Sequence, residues 1–406
     1  MDNRKKTAFK LILLFGLVSL FGDMVYEGAR SVNGPYLKTL GANAAIVGLI
    51  AGLAEFLGYA ARLFSGYLAD KTKSYWLFTF LGYGLLVSVP LLSLSGVWQA
   101  AVVFIVLERL GKAVRSPAKD TILSQAAKQV GTGLGFAIAE VLDQVGAICG
   151  PLIFTFLFIM LGKGERGLVD YQHGYSLLWA PLAMVMFCLY FAYRTVPRPE
   201  TLEKDVSGES GNGKLSKVFW VYTVFTFVTT LGFANFALIG FHLKARNVLT
   251  DAQIPLFYAM AMGVDAVAAI IIGKTYDFFK VKRGNDKAGL ITLAVIPVFS
   301  LLIPGLVFST KVSLVLAGVI AWGIVMGSHE TVMKSAIADL TPLPKRGTGY
   351  GVFNAAYGLA VFIGASFTGL LYEYSIPAVI IAGVAIEAVS VFIFLFLRKE
   401  VLTGRS

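Results

Sequence analysis

Histidine and cysteine are nearly missing from this chain, three and two in 406 residues. That scarcity excludes a disulfide framework and any soft-metal centre built from thiolates and imidazoles. Cys149 and Cys188 both fall inside apolar runs, where a thiol serves as a small core residue. Charged residues make up 15% of the chain, against about 25% in a soluble domain. The signatures Gly-x-Ser-x-Gly, His-Glu-x-x-His and Cys-x-x-Cys are absent, and no polar segment is long enough for a soluble domain. An enzyme is therefore not expected, nor a cofactor, nor a bound metal. The alternating segments of about ten residues that mark a β-barrel are also missing.

What fills the chain is hydrocarbon. Hydrophobic residues reach 57% and the mean hydropathy is +0.74. Apolar runs of about 20 residues, enough to cross a bilayer core, recur throughout. They predict an all-α polytopic membrane protein with twelve spans, near 10–33, 45–69, 76–95, 99–120, 132–161, 174–194, 217–241, 253–275, 288–308, 312–340, 348–372 and 377–398. The first run contains Asp23 and Glu27 and no small-residue cleavage site, so it reads as a retained helix, not a signal peptide.

The net charge of +11 does not point to nucleic acid, because the basic residues sit in short loops. Alternate loops hold most of them: Arg4 to Lys10, Lys71 and Lys73, Lys128, Arg194 to Lys217, Lys280 to Lys287, Lys345 and Arg346, and Arg398 to Arg405. The opposite loops offer Lys38, Lys163, Arg166, Lys244, Arg246 and Lys311. By the positive-inside rule both termini are expected in the cytoplasm, the protein lying in the cytoplasmic membrane. The longest polar connection, rich in Pro, Gly and Ser, reads as a linker over 195–216. It separates six-helix bundles expected at 1–194 and 217–406.

The halves echo each other. "GTGLGF" at 131–136 returns as "GTGYGV" at 347–352, opening spans five and eleven. Gly111 pairs with Gly327 at the same offset, and "GYLAD" at 66–70 echoes "GKTYD" at 273–277. No strand precedes the glycines and no P-loop Lys-Ser/Thr follows, so they read as close helix approaches, not a phosphate loop. Both halves start on the same side. In parallel repeats of this kind the substrate site lies near mid-membrane between the halves.

Charges inside spans cost about 2.5–3.5 kcal/mol each on the lenient insertion scale, so each must face protein or water. Asp23, Glu27 and Arg30 share one face of span one, and Glu55, Tyr59 and Arg62 one face of span two. Glu108, Lys112, Arg115 and Lys119 stripe span four, with Arg109 beside them, and Glu140 and Asp143 mark span five. Ion pairs, such as Glu55–Arg62 within span two or Glu140–Arg115 between spans, are one reading. A buried pair is a weak stability device, so proton coupling at Asp23, Glu27, Glu140 and Asp143 is the other. Arg30, Glu55, Tyr59, Arg62, Glu108, Lys112 and Arg115 would contact substrate. The second half is sparser, with Asp265, His329 and Glu330, the neutral Asn235, Asn354 and Tyr357, and Glu387 as a peripheral contact. Asp70, at the end of span two, can accept hydrogen bonds from a neighbouring helix start and pair with a loop cation as a latch. Asp277 is its weaker counterpart.

"GYLADKTK" at 66–73 resembles the Gly-x-Leu-Ala-Asp-Arg-x-Gly-Arg signature of the major facilitator superfamily. Gly66, Leu68, Ala69, Asp70 and Lys71 match, and Lys73 stands where the second glycine belongs. "GAICGP" at 146–151 is similar to the tail of that family's fifth-span antiporter motif, here Gly146, Gly150 and Pro151. Gly111 and Pro117 fit the fourth-span pattern, while Ile105 occupies its usual arginine position. The resemblance is strongest to a prokaryotic drug-efflux-like branch. It implies two bundles related by a pseudo-two-fold axis, and gating by Gly66, Asp70, Lys71, Asp277, Gly146, Gly150 and Pro151. The expected activity is proton-coupled export of an amphipathic organic solute, by a monomer in the lipid bilayer. Uptake or uniport of an organic anion held by Arg30, Lys112 and Arg115, and export of a divalent metal, are the alternatives.

Overall fold

A backbone crossing hydrocarbon must satisfy its own N–H and C=O groups, which leaves helices as the solution for long apolar runs. The computed structural model describes residues 3–130, 132–162, 164–199, 215–341 and 346–403. Gly131, most of the expected linker (200–214), Lys163, Lys345 and Arg405 lie outside them. The described residues form twelve helical spans and no strand. These are α1 Asn3–Thr39, α2 Ala44–Thr72, α3 Tyr75–Leu94, α4 Trp98–Val130, α5 Thr132–Met160 and α6 Leu168–Thr195. The second half supplies α7 Lys217–Ala245, α8 Gln253–Arg283, α9 Lys287–Val307, α10 Val312–Leu340, α11 Arg346–Tyr374 and α12 Ile376–Thr403. Eleven are long and apolar enough to cross a membrane; α4 falls short because of its charges.

The helices overrun the apolar runs. α1 begins at Asn3, not near 10, and α4 continues to Val130, not 120. Hydropathy marks only the buried stretch, whereas backbone hydrogen bonding carries a helix on into its polar ends. Pro117 and Pro151 interrupt that bonding within α4 and α5. The carbonyl left without its helical N–H by Pro117 is that of Ala113, and Ser65 Oγ of α2 donates to it at 2.8 Å.

Contacts divide the chain into two units. One gathers Met1–Ala42, Leu57–Ser207 and Thr250–Ala259; the other gathers Asn43–Phe56, Gly208–Leu249 and Met260–Ser406. The first half of α2 thus falls in the second unit, where a Cβ on Gly52 would stand 2.9 Å from the Phe362 carbonyl oxygen of α11. The first turns of α8 fall in the first unit. There Asp251, just ahead of α8, accepts the Arg166 backbone N–H at 2.8 Å and the Tyr171 hydroxyl proton.

Within the first unit α1 crosses α5 with backbone against backbone. A Cβ on Gly150 would lie 2.8 Å from the Gly28 nitrogen, one on Gly28 3.0 Å from the Gly150 oxygen, and one on Gly146 against the Leu20 carbonyl. Small residues four apart are what let membrane helices approach so closely. The expected helix entrances behave in the same way: Gly135 faces Ala127 of α4, and Gly349 faces Thr341 at the end of α10. In the second unit Gly364 of α11 lies against the Leu231 backbone of α7.

α7 is broken, with helical segments Lys217–Gly232 and Phe236–Ala245. The break leaves backbone groups that must be satisfied inside the protein. The Asn235 carboxamide oxygen accepts the Ala237 N–H at 2.8 Å, and the Trp322 indole donates to the Ala234 carbonyl at 2.9 Å.

Replacing Gly150 by leucine should separate α1 from α5. Overpacking of this kind costs about 1–3 kcal/mol, and here backbone, not a mobile side chain, stands in the way. Thermal unfolding in detergent should show a clear drop in midpoint, with little change for Cys149→Ala one residue away.

Candidate functional site

The α1–α5 crossing sets two acidic helix faces against each other. Asp23 of α1 lies near Asp143 of α5, with Lys112 of α4 and Glu27 as further charged neighbours. Glu27, one turn further along α1, is buried. Its Oε2 accepts the hydroxyl proton of Tyr258, and its Oε1 stands 3.6 Å from Arg30 Nη1. The Arg30 side chain keeps 21% of its surface accessible, so the face is not sealed.

Tyr26, in the next position to Glu27, collects cations. Lys112 Nζ lies 3.8 Å from its ring centroid, the Arg109 guanidinium carbon 4.5 Å and that of Arg30 5.7 Å. Cations over an aromatic face gain about 0.5–2 kcal/mol, most where water is excluded. The same device recurs at Arg115 over Tyr83 at 4.8 Å and at Arg62 over Tyr59 at 5.0 Å. Arg109 also approaches Glu108, Nε to Oε2 at 3.6 Å, and Lys119 Nζ donates to Ser19 Oγ at 3.2 Å. Acidic and basic groups from α1, α4 and α5 thus form one connected cluster within the first unit.

Some expected residues stand apart from it. Glu140 is exposed on α5 and takes no part in these contacts among the described residues; Arg115 turns to Tyr83 instead. One helical turn separates Glu140 from Asp143, but α5 presents only the latter to α1. Glu55 is half-buried on the portion of α2 that belongs to the second unit, whereas Tyr59 and Arg62 belong to the first.

In the second unit Asp265 is buried on α8 against α10, where a Cβ on Gly327 would meet its carboxylate and carbonyl. His329 is buried between the rings of Phe233 at 6.4 Å and Tyr357 at 6.5 Å, while Glu330 points to an exposed position. Adjacent helix positions diverge by about 100°, which places these two on different faces. Asn354 is half-buried on α11, and the Asn235 side chain is taken up by its cap.

The latch expected at Asp70 has a partner at the start of the next helix: Asp70 Oδ1 accepts the Tyr75 hydroxyl at 3.2 Å. Lys71 lies over the Tyr67 ring at 5.8 Å, and Gly66 faces the Pro117 ring. Lys73 adopts φ 55°, the left-handed backbone that the second glycine of the signature would supply. The bend survives the substitution. In the second unit Asp277 is exposed, and the acid bonded nearby is Asp339 of α10. It accepts from Lys280 Nζ at 2.7 Å and from the Tyr276 hydroxyl at 2.8 Å.

Sequence reasoning missed Tyr26, Tyr258, Asp251 and Asp339. A tyrosine in a span reads as ordinary wall, and Asp251 and Asp339 sit at helix ends where an acid needs no explanation. One signal was available for Tyr26: it shares α1's charged face with Asp23 and Arg30 at i−3 and i+4.

Tyr258→Phe should strip a hydrogen bond from a buried carboxylate, a loss of about 1–3 kcal/mol. Thermal unfolding should show it, and the same substitution should cost far less in a Glu27→Gln background. Equal costs in both backgrounds would break the proposed coupling.

Comparison with known proteins identifies the family. The sequence profile described as Major Facilitator Superfamily matches residues 13–328 and 249–406. An uncharacterized protein of Mycobacterium tuberculosis is 38% identical over 399 residues, 97% of this chain and 94% of the relative. An uncharacterized MFS-type transporter of Methanocaldococcus jannaschii is 26% identical over 399 residues, covering 96% of this chain and 95% of its own. A solved POT family transporter in complex with a thioalcohol-conjugated peptide shares the fold. Its TM-score is 0.74 at 13% identity, over 98% of this chain and 96% of that one. With twelve helical spans and a profile matched along both halves, the chain belongs to the Major Facilitator Superfamily of membrane transporters.

Proposed function

We propose that this transporter is a proton-coupled antiporter that exports an amphipathic organic solute by alternating access. In this reading it works as a monomer in the cytoplasmic membrane with both termini inside. Residues 1–194 and 217–406 act as the two moving bundles, joined by the linker 195–216. The observation that carries the reading is Asp23 facing Asp143 across the α1–α5 crossing. Two carboxyls brought together in a low-dielectric site do not both ionise cheaply, which makes this crossing the place for the coupled proton to be carried. Lys112 beside Asp23 balances the single remaining negative charge. Loss of the proton leaves an uncompensated charge, which favours the arrangement that admits water. Glu27 transmits the change, since its carboxylate joins Arg30 on α1 to Tyr258 on α8.

A second reading follows from the cations gathered on Tyr26. Arg30, Arg109 and Lys112 bring three positive charges to one tyrosine ring, and arginine suits bidentate anion recognition. Under that reading the solute is an organic anion.

The test is uptake of a lipophilic fluorescent cation into proteoliposomes with an imposed pH gradient. Asp23→Asn and Asp143→Asn should each lower gradient-driven accumulation by at least about tenfold while the protein stays monodisperse. Wild-type accumulation by both variants would refute the coupling assignment. Inhibition of dye transport by an aromatic carboxylate, lost in Arg30→Gln, would favour the anion reading.

A further inference from the structure

Glu387 is a buried carboxyl that lies outside the acid cluster of the first unit. Glu387 sits in the middle of α12, fully buried. Sequence alone read it as a peripheral contact, yet the side chain points inward to the break in α7. A Cβ on Gly232, the last helical residue before that break, would lie 2.8 Å from Glu387 Oε1. The glycine is there because the carboxyl occupies its side-chain space.

Among the described residues no cation pairs with Glu387. On the neighbouring helices the charged and titratable groups are engaged elsewhere. Lys217 of α7 pairs with Glu400 at 2.9 Å, and Tyr222 stacks on Phe353. On α11 Tyr372 bonds His242, Tyr357 lies near His329, and Glu373 accepts the Ala44 N–H at 2.6 Å; Tyr374 is exposed and Tyr350 lies near Tyr222. Lys287 is at the far start of α9. An ionised Glu387 would stand alone in a low-dielectric core, which is costly.

Ser390 indicates which form is present. Its Oγ lies 2.7 Å from the Glu387 main-chain oxygen and 3.0 Å from Glu387 Oε2. One hydroxyl proton cannot serve two acceptors well. If Oε2 carries a proton, both contacts become full hydrogen bonds: Oε2–H donates to Ser390 Oγ, and Ser390 donates to the backbone. Oε1, the carbonyl oxygen of the acid, makes no hydrogen bond. A cavity of about 10 Å³ lies nearby, lined by Gly232, Gly383 and Ile386 but not by Glu387 itself. That is room for about one water molecule.

We propose that Glu387 is a second proton-binding site of this transporter, loaded at the α7 break in the second unit and independent of the Asp23–Asp143 pair. The proton comes from water and returns to it. Loading forms the Oε2–H bond and neutralises the carboxylate; release requires water to replace the Ser390 contact, which opening of the α7–α12 seam at Gly232 and Gly383 provides.

Infrared difference spectroscopy of the full-length protein in lipid, titrated from about pH 5 to about pH 10, tests this by the carbonyl stretch of protonated carboxyls. In an Asp23→Asn, Asp143→Asn background one carboxyl band should fade reversibly as pH rises, and adding Glu387→Gln should remove that band. A Glu387 band that persists unchanged at every pH would make the group a fixed structural acid and overturn the proposal. So would a spectrum that Glu387→Gln leaves unaltered. Should that variant not fold, Ser390→Ala decides: the band must survive, shifted by loss of its acceptor, and an unshifted band overturns the proposal.

Discussion

A charge buried in a hydrocarbon layer has to find its counterpart inside the protein, and that constraint organises the whole first unit. Asp23, Glu27 and Arg30 on one helix, Lys112 and Arg115 on another, and Asp143 on a third are tolerable only because their helices meet closely. The close meeting is supplied by glycine. Gly28, Gly146 and Gly150 bring the α1 and α5 backbones within contact distance, so short aspartates reach each other where longer side chains would otherwise be needed. The antiporter-like motif in α5 therefore has a local physical meaning: it sets the spacing of a carboxyl pair.

The cations are accommodated differently. Outnumbering their acidic partners in α4, they lie over tyrosine rings, with Tyr26, Tyr59 and Tyr83 presenting π faces. An aromatic face holds a cation without neutralising it. Such a cluster stays responsive to an incoming anion, or to loss of a neighbouring proton, in a way a closed ion pair does not. Tyrosine also links by its hydroxyl, as Tyr258 does to Glu27 and Tyr171 to Asp251. These two bonds tie the 250–259 segment into the first unit.

The second unit uses backbone more than charge. α7 is interrupted, its open groups are met by Asn235 and Trp322, and Glu387 lies against the last glycine before the gap. A broken membrane helix is tolerated only where protein or water covers it. The break is thus a site of stored adaptability in a region otherwise short of ionisable groups.

Composition and hydropathy alone determined that this chain crosses a membrane many times as helices, and twelve spans were legible because lipid imposes length and polarity on each of them. The striped charges of α1 and α4 were legible too, since helical periodicity fixes which residues share a face. What tertiary structure decided was which faces meet. It set Asp143 and not Glu140 against α1, turned Arg115 to Tyr83, joined Asp339 to Tyr276 and Lys280 while leaving Asp277 exposed, and buried Glu387 against α7. The reason is geometric. A helix's own repeat constrains rotation about its axis only within that helix, whereas the partner across a crossing depends on where two backbones can touch, and that follows from glycines distant in sequence.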